Sequence, residues 1–173
     1  MEKRMYFLVP YNISEIQKGI QAGHAQMEYA LKYWKNKDFQ DWAKNNKTWI
    51  VLNGGNTNSK DIGDMQHHLD NLIGNNIKFS TFCEPDLNNA LSAITFLCDE
   101  RVYNFEKYPN LKGFIYKKQE ESPSLSFNQK IIQSIIIGSI KEDFPEEYKE
   151  WLNLIGGKAN EFLKDFILRF DLA

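Results

Sequence analysis

A short, fully apolar run near the N-terminus is the feature that most constrains the fold. Met5 to Val9 is continuously apolar and Pro10 stops it, which is typical of a strand buried on both faces of a sheet. Ser14, followed three residues later by Gln17, forms the capping-box pattern that begins a helix. A buried strand that leads directly into a capped helix predicts the first unit of an α/β fold.

The same alternation continues through the first hundred residues. We predict helices over 14–34 and 59–74, and further strands over 47–52, 77–83 and 91–97. This order predicts a three-layer α/β fold, in which flanking helices cover a four-stranded, mixed but mostly parallel sheet. The last two strands are close enough in sequence to form a hairpin.

The composition changes after about Tyr103. A stretch rich in Lys, Pro and Ser is predicted to be a loop as far as Ser126, and helices are predicted over 127–140, 145–155 and 158–170. We therefore divide the chain into an α/β domain, 1–104, and a helical C-terminal extension, 105–173. The isoleucine-rich extension packs either on the sheet or on a second subunit of a homodimer, and the sequence leaves both alternatives open.

Composition and charge limit the class of protein. Apolar residues make up 42% of the chain and aromatic residues 14%, which is enough to form a core and excludes a disordered chain. With a net charge of −2, any nucleic acid must be bound by a local patch rather than by the overall field. Two isolated cysteines, Cys83 and Cys98, suit a reducing compartment. Because no apolar run is long enough for a signal peptide or a membrane span, we expect a cytoplasmic protein with no membrane partner.

Four polar residues form a stripe on the first predicted helix. Gln17, Gln21, His24 and Glu28 are spaced by four, three and four residues, so they stack along one side of the helix. Such a stripe either lines a groove or is an ordinary solvent-exposed face. In a groove, Glu28 lies one turn from His24, where it selects the tautomer of the imidazole.

Polar clusters also follow the predicted strands. If the strands are parallel, these clusters converge on the edge of the sheet where open α/β folds bind ligands. The first helix opens at the same edge, and its N-terminus with Lys18 favours an anion such as phosphate. The alternative is that the clusters are simply turns, because Asn, Gly, Pro and Asp are common turn residues. The candidate residues are Asn12, Asn53, Gly54, Gly55, Glu84, Asp86, Asn88 and Asn89.

Metal and cofactor motifs are missing from the sequence. His67 and His68 are adjacent, so their side chains point apart on a helix and do not form a metal site. The chain has no glycine-rich phosphate loop and no G-x-S-x-G elbow. We therefore expect neither a bound metal nor a cofactor.

The segment Gln21-x-x-His24-Ala25, placed on the helix after a buried strand, resembles the peptidyl-tRNA hydrolase family of the archaeal and eukaryotic type. That family typically reads G-K-x-A-A-Q-x-x-H-A here, and the predicted strands over 47–52 and 91–97 resemble two of its strands. The resemblance covers about residues 5 to 99. The family's lysine falls at Gln17, with Lys18 one residue later, and the segment 103–173 has no counterpart in its compact members.

The resemblance implies a hydrolase that acts on a tRNA ester or a related nucleotide-bearing substrate. His24 then positions or deprotonates a water molecule, Glu84 or Asp86 assists it, and Lys18 holds phosphate or stabilises an oxyanion. The alternative is a non-catalytic module that sequesters a nucleotide or an RNA end, since amide side chains such as Gln21 and Asn53 suit recognition of a base. A third interpretation is a protein–protein adaptor built on the helical extension.

Overall fold

The computed structural model describes residues 1–121 and 125–173 of the chain. It divides them into two compact units, of which the first contains Met1–Glu100 together with Asp165–Ala173, and the second contains Arg101–Lys164. The last nine residues therefore belong to the α/β unit, although the sequence places them in the helical extension.

The first unit alternates strands and helices in the order that the sequence predicts, with two additional short helical segments after the first helix. Its elements are β1 (Lys3–Val9), α1 (Glu15–Tyr33), α2 (Lys37–Asp41), a π-helical segment (Trp42–Asn46), β2 (Thr48–Asn53), α3 (Met65–Gly74), β3 (Phe79–Glu84), a 3-10 turn (Pro85–Leu87) and β4 (Ala90–Asp99). The capping box at the start of α1 is confirmed, because Ser14 and Gln17 exchange hydrogen bonds as predicted.

The sheet has the strand order β2-β1-β4-β3. The expected mixed, four-stranded sheet is confirmed, but only β1 and β2 form a parallel pair, and β4 is antiparallel to both β1 and β3. The cause is the short connection after β3, where Asn88 and Asn89 adopt left-handed backbone conformations and reverse the chain within a few residues. As a result β4 lies between β1 and β3.

This topology still brings three strand ends together. Because β3 and β1 are both antiparallel to β4, and β2 is parallel to β1, the strands β1, β2 and β3 all run in the same direction. Their carboxyl ends, at Val9, Asn53 and Glu84, therefore lie along one edge of the sheet, which we call the rim. The predicted convergence of these strand ends is confirmed.

Helices cover both faces of the sheet. On one face, Met5, Phe7 and Val9 of β1 pack with Ala22 and Ala25 of α1 in a buried cluster. On the other face, Tyr6 of β1 stacks on Phe96 of β4, and Phe96 contacts Phe166 of the C-terminal segment. This alternation is expected for a strand whose successive side chains point to opposite faces.

The structure corrects two details of the predicted helices. From the sequence, Met27 and Leu31 are expected to face the core together with Ala22 and Ala25 of the same helix. Met27 and Leu31 are in fact exposed, while Ala22, Ala25 and Tyr29 form the buried face of α1. The second predicted helix begins at Met65 rather than at residue 59. The preceding loop departs from helical geometry because Gly55 and Gly63 have φ angles of 79° and 98°.

The second unit is helical. Its elements, two of which extend by a few residues beyond the boundaries of the unit, are α4 (Glu100–Tyr103), α5 (Leu111–Glu121), α6 (Leu125–Ile137), α7 (Ile140–Asp143), α8 (Pro145–Ile155) and α9 (Lys158–Ile167). The predicted loop before residue 126 is wrong as far as α5 is concerned, because Leu111 and Ile115 are buried one turn apart in the core of this unit. Residues 122–124 of that predicted loop lie outside the described residues.

The C-terminal segment extends the sheet at its β2 edge. The amide of Asn53 donates to the carbonyl of Asp171 at 3.0 Å, and the amide of Ala173 donates to the carbonyl of Val51 at 3.0 Å. Leu52 and Leu172 form an antiparallel bridge. These bonds satisfy backbone groups of an edge strand that would otherwise be open to pairing with another chain.

The end of β2 packs closely against the loop before α3 at Gly55, and substitution of this glycine tests that packing. A Cβ at this position would lie 2.7 Å from Oδ1 of Asp64 and closer still to the carbonyl of Gly63, and the φ angle is also positive. We expect Gly55→Ala to lower the free energy of unfolding by about 2–4 kcal/mol, since both left-handed strain and overpacking contribute.

The matched control is Gly63→Ala, because Gly63 has a φ angle of 98° but open space around its Cβ position. It should lose only about 1–2 kcal/mol. Urea unfolding followed by circular dichroism measures both variants, and equal losses would contradict the steric part of this explanation.

Candidate functional site

A small pocket opens at the rim between the start of α1 and the turn that joins β3 to β4. Its volume is about 180 Å³. We call it the rim pocket, and its lining residues are Ile13, Gln17, Gln21, Glu84, Asp86, Leu87 and Ser92. Four of the predicted site residues, namely Gln17, Gln21, Glu84 and Asp86, are therefore brought together here.

Gln21 is the centre of the rim pocket and is only 6% exposed. Its Nε2 donates to Oε2 of Glu84 at 2.6 Å, and its Oε1 accepts from the hydroxyl of Ser92 at 2.6 Å. A buried amide is costly unless it is hydrogen-bonded. Here both ends of the amide are bonded, so its orientation is determined by the strands β3 and β4.

Ser92 reaches Gln21 because of an irregularity in the sheet. Phe82 pairs with Ala93 and Cys83 pairs with Leu91, so the register shifts and Ser92 has no partner on β3. A β-bulge of this kind re-aims the extra side chain. The Ser92 hydroxyl, which is buried, accordingly points toward Gln21 of α1. It also lies 3.2 Å from the carbonyl of Phe82 on β3.

The rim pocket carries negative charge. Glu84 and Asp86 are both in the lining, and none of the described residues that line the pocket is a Lys, Arg or His. The pocket also contains amide donors, because Gln17 uses its Oε1 to accept from the amide and the hydroxyl of Ser14 and keeps its NH₂ group for another acceptor. The arrangement suits a neutral or cationic polar ligand that has both donors and acceptors.

His24 and Lys18 lie outside the lining of the rim pocket. His24 is exposed, and its ring stacks on Phe82 of β3 with a centroid distance of 4.4 Å and an interplanar angle of 21°. The ammonium of Lys18 forms an ion pair with Glu15 at 2.8 Å. The stacking on Phe82 therefore places the imidazole beside the rim pocket rather than in its lining.

The remaining members of the predicted stripe and strand ends are dispersed. Glu28 is exposed one turn beyond His24, and no hydrogen bond or ion pair joins the two within the described ranges. Asn12 is exposed in the turn after β1. Gly54 is buried, where a Cβ would lie 3.1 Å from that of Leu8, so its role is packing at the end of β2.

Asn88 and Asn89 line a second opening, on the face of the sheet that α3 covers. It has a volume of about 350 Å³ and includes Lys60, Gln66 and Cys83 in its lining. These asparagines are therefore separated from Gln21 by the turn that they help to form. The sequence brings them to the rim but does not indicate on which face of the sheet they emerge.

Asn53 and Gly55 line a third opening, which we call the histidine cleft. Its volume is about 410 Å³, and its lining residues are Asn53, Gly55, Ile62, Gly63, His67, His68, Arg169, Phe170 and Asp171. Sequence reasoning missed this cleft. Arg169 and its neighbours come from the C-terminal segment, and no local pattern indicates that this segment returns to the end of β2.

His68 is buried at the base of the histidine cleft. Its Nε2 donates to the carbonyl of Gly63 at 2.9 Å, and its ring packs edge-on against Phe170 at 4.6 Å. Burial disfavours the imidazolium and lowers the pKa of His68. Nearby, a backbone hydrogen bond from Asn56 at 2.7 Å holds the pKa of Asp64 below its usual value.

Within residues 1–121 and 125–173, no three His, Cys, Asp or Glu side chains converge as a metal ion would require. In the same ranges, none of the helices is both long and apolar enough to cross a lipid bilayer.

The lowered pKa of His68 predicts a dependence of stability on pH. The unfolded chain binds a proton near pH 6.5 and the folded chain only at lower pH, so this contribution to stability is complete above about pH 6.5 and is lost as the pH falls through the folded pKa. We expect the melting temperature to fall below pH 6.5, and His68→Gln to weaken that fall. His67→Gln is the control on the same helix, and an equal effect of both variants would contradict the assignment.

Comparison with known proteins does not assign this chain to a family. No protein-family model matches its sequence, and no curated protein matches it significantly.

Proposed function

We propose that the rim pocket binds a nucleotide-type ligand, such as an unpaired RNA end, and reads the edge of its base without cutting the chain. The observation that carries this proposal is the Gln21 amide, which is held between Ser92 and Glu84. A buried and oriented amide beside two carboxylates is suited to selective hydrogen bonding, because each donor and acceptor has a defined direction.

The hydrogen-bond donors and acceptors that the pocket residues do not use among themselves match those of a nucleobase. Gln17 and Gln21 retain N–H donors, while Glu84 and Asp86 retain carboxylate oxygens that accept hydrogen bonds. Nucleobases present alternating acceptors and amino donors along their edges, and carboxylates accept from the exocyclic amino groups of bases. The same carboxylates repel phosphate, so the base enters the pocket and the phosphate stays outside it.

His24 and Phe82 supply a stacking surface next to the pocket. Their rings are nearly parallel, and they lie one turn from Gln21 on α1 and two residues from Glu84 on β3. Exposed aromatic and histidine rings are the surfaces on which single-stranded RNA bases stack. In this proposal His24 contributes a flat surface for a neighbouring base rather than a general base.

Hydrolysis of a tRNA ester is the second candidate function. It is favoured by the Gln21-x-x-His24 spacing, which resembles the peptidyl-tRNA hydrolase family, and by the exposed imidazole, which is accessible to a water molecule. However, Lys18 is the cation that this chemistry would use to stabilise an oxyanion, and its ammonium group is already paired with the carboxylate of Glu15. Binding without hydrolysis is therefore the function that we place first.

Substitution of Gln21 and Glu84 tests the binding proposal. We expect Gln21→Leu and Glu84→Gln to weaken the binding of a short RNA with a single-stranded 3′ end by about tenfold or more, because a base-edge contact is worth about 1–3 kcal/mol. Fluorescence anisotropy measures the affinity. Gln26→Leu is the matched control, since Gln26 lies on the same helix but outside the lining of the pocket. Equal affinities for all variants would contradict the proposal.

Turnover distinguishes the two candidate functions. We expect peptidyl-tRNA to remain intact after incubation with the protein, and His24→Ala to weaken RNA binding through the loss of stacking. Release of free tRNA that disappears in His24→Ala would instead establish the hydrolase. Gel analysis of the RNA, together with anisotropy on the same samples, measures both outcomes.

A further inference from the structure

The outer face of α1 carries a continuous apolar stripe. Its members are Ile16, Ile20, Met27, Leu31 and Trp34, and each is between 49% and 77% exposed. At 3.6 residues per turn they fall, together with Gly23, within an arc of about 80°. This stripe faces away from the buried side of the helix. An apolar surface of this length on a polar protein usually marks an interface.

Two glycines within α1 have no explanation inside the chain. Gly19 and Gly23 are four residues apart in the interior of the helix, where each glycine costs about 1 kcal/mol relative to alanine. A Cβ at either position would meet no atom within 4 Å. Close packing within the unit therefore does not require them. Glycines on the outer face of a helix allow another helix to approach closely.

We propose that α1 is a self-association surface, on which two copies of this chain pack their α1 helices antiparallel about a two-fold axis. An isologous interface requires that residue i contacts residue j and that j contacts i. With the axis near position 25, Ile16 faces Trp34 of the partner subunit, and Ile20 faces Leu31 of the partner subunit. Met27 then fits into the space above Gly23 of the partner subunit.

The pattern favours a second copy over an unrelated partner. Every large side chain of the stripe finds a complementary position within the same stripe, and the gap at Gly23 matches the bulk at Met27 only when one helix is reversed. The antiparallel arrangement also opposes the helix dipoles. On one flank it brings Glu28 of one copy close to His24 of the other, where the carboxylate can accept a hydrogen bond from the imidazole.

The dimensions of α1 limit the area of the proposed interface. A helix of 19 residues is about 28 Å long and about 10 Å wide. Contact along one such helix lies at the small end of specific protein interfaces. We therefore expect a reversible dimer that dissociates on dilution.

Sedimentation velocity of the full chain between about 1 and 500 µM tests the proposal. We expect the weight-average mass to rise from monomer to dimer with concentration, and Met27→Glu to raise the dissociation constant at least about tenfold. The matched control is Ile73→Glu on α3, because Ile73 and Met27 are both 57% exposed. A monomer at every concentration, or the same loss in both variants, would overturn the proposal.

Gly23→Leu separates association from folding. The new side chain has free space around it within one chain and improves the helix propensity, so the melting temperature of dilute protein should stay constant or rise. In the proposed dimer it collides with Met27 of the partner subunit, and dimerisation should be lost. Retention of the dimer would overturn the predicted packing.

Disulfide trapping tests the orientation of the helices. In a Cys83→Ser background, which removes the exposed native thiol, Ile16→Cys and Trp34→Cys are made as separate variants. An equimolar mixture should form a mixed disulfide dimer under mild oxidation, and each variant alone should form little. Stronger cross-linking of each variant with itself would indicate parallel helices and overturn the antiparallel arrangement.

Discussion

The arrangement of the rim depends on the buried amide of Gln21. This side chain connects three elements, because it extends from α1, accepts from Ser92 of β4 and donates to Glu84 at the end of β3. An amide that lost one of these partners would leave a buried polar group unsatisfied, at a cost of about 1–3 kcal/mol. The two bonds therefore fix the position of α1 relative to the sheet and hold a carboxylate at the mouth of the rim pocket.

The two openings along the rim differ in the charged groups that line them. On the α1 face, Glu84 and Asp86 make the rim pocket acidic. At the end of β2, the histidine cleft is lined by Arg169 and Asp171 together with His67 and the buried His68. The histidine cleft therefore offers both a cation and a carboxylate, whereas the described lining of the rim pocket has carboxylates and no cation. The difference arises because the C-terminal segment, which supplies Arg169 and Asp171, returns to the end of β2.

Sequence reasoning predicted the elements of the α/β unit and the convergence of its strand ends, because apolar runs and turn residues are local signals. It predicted a hairpin between the last two strands, which the antiparallel pairing of β3 with β4 confirms, but it did not place β4 between β1 and β3. It also missed Ser92, whose orientation comes from a register shift between two strands. The position of Arg169 could not be predicted either. The C-terminal segment returns to the end of β2, and no local pattern in the sequence indicates that contact.

The helix α1 explains why periodicity alone misplaced Met27 and Leu31. Both faces of this helix are apolar, and the outer one carries the larger side chains, so hydrophobicity alone does not show which face is buried. The structure instead buries Ala22 and Ala25, because small residues let the helix approach a sheet whose own side chains, such as Phe7, already fill the space. The large apolar residues of α1, such as Met27 and Leu31, then lie on its outer, exposed face. In the proposed dimer, the same residues of a second copy cover these apolar groups.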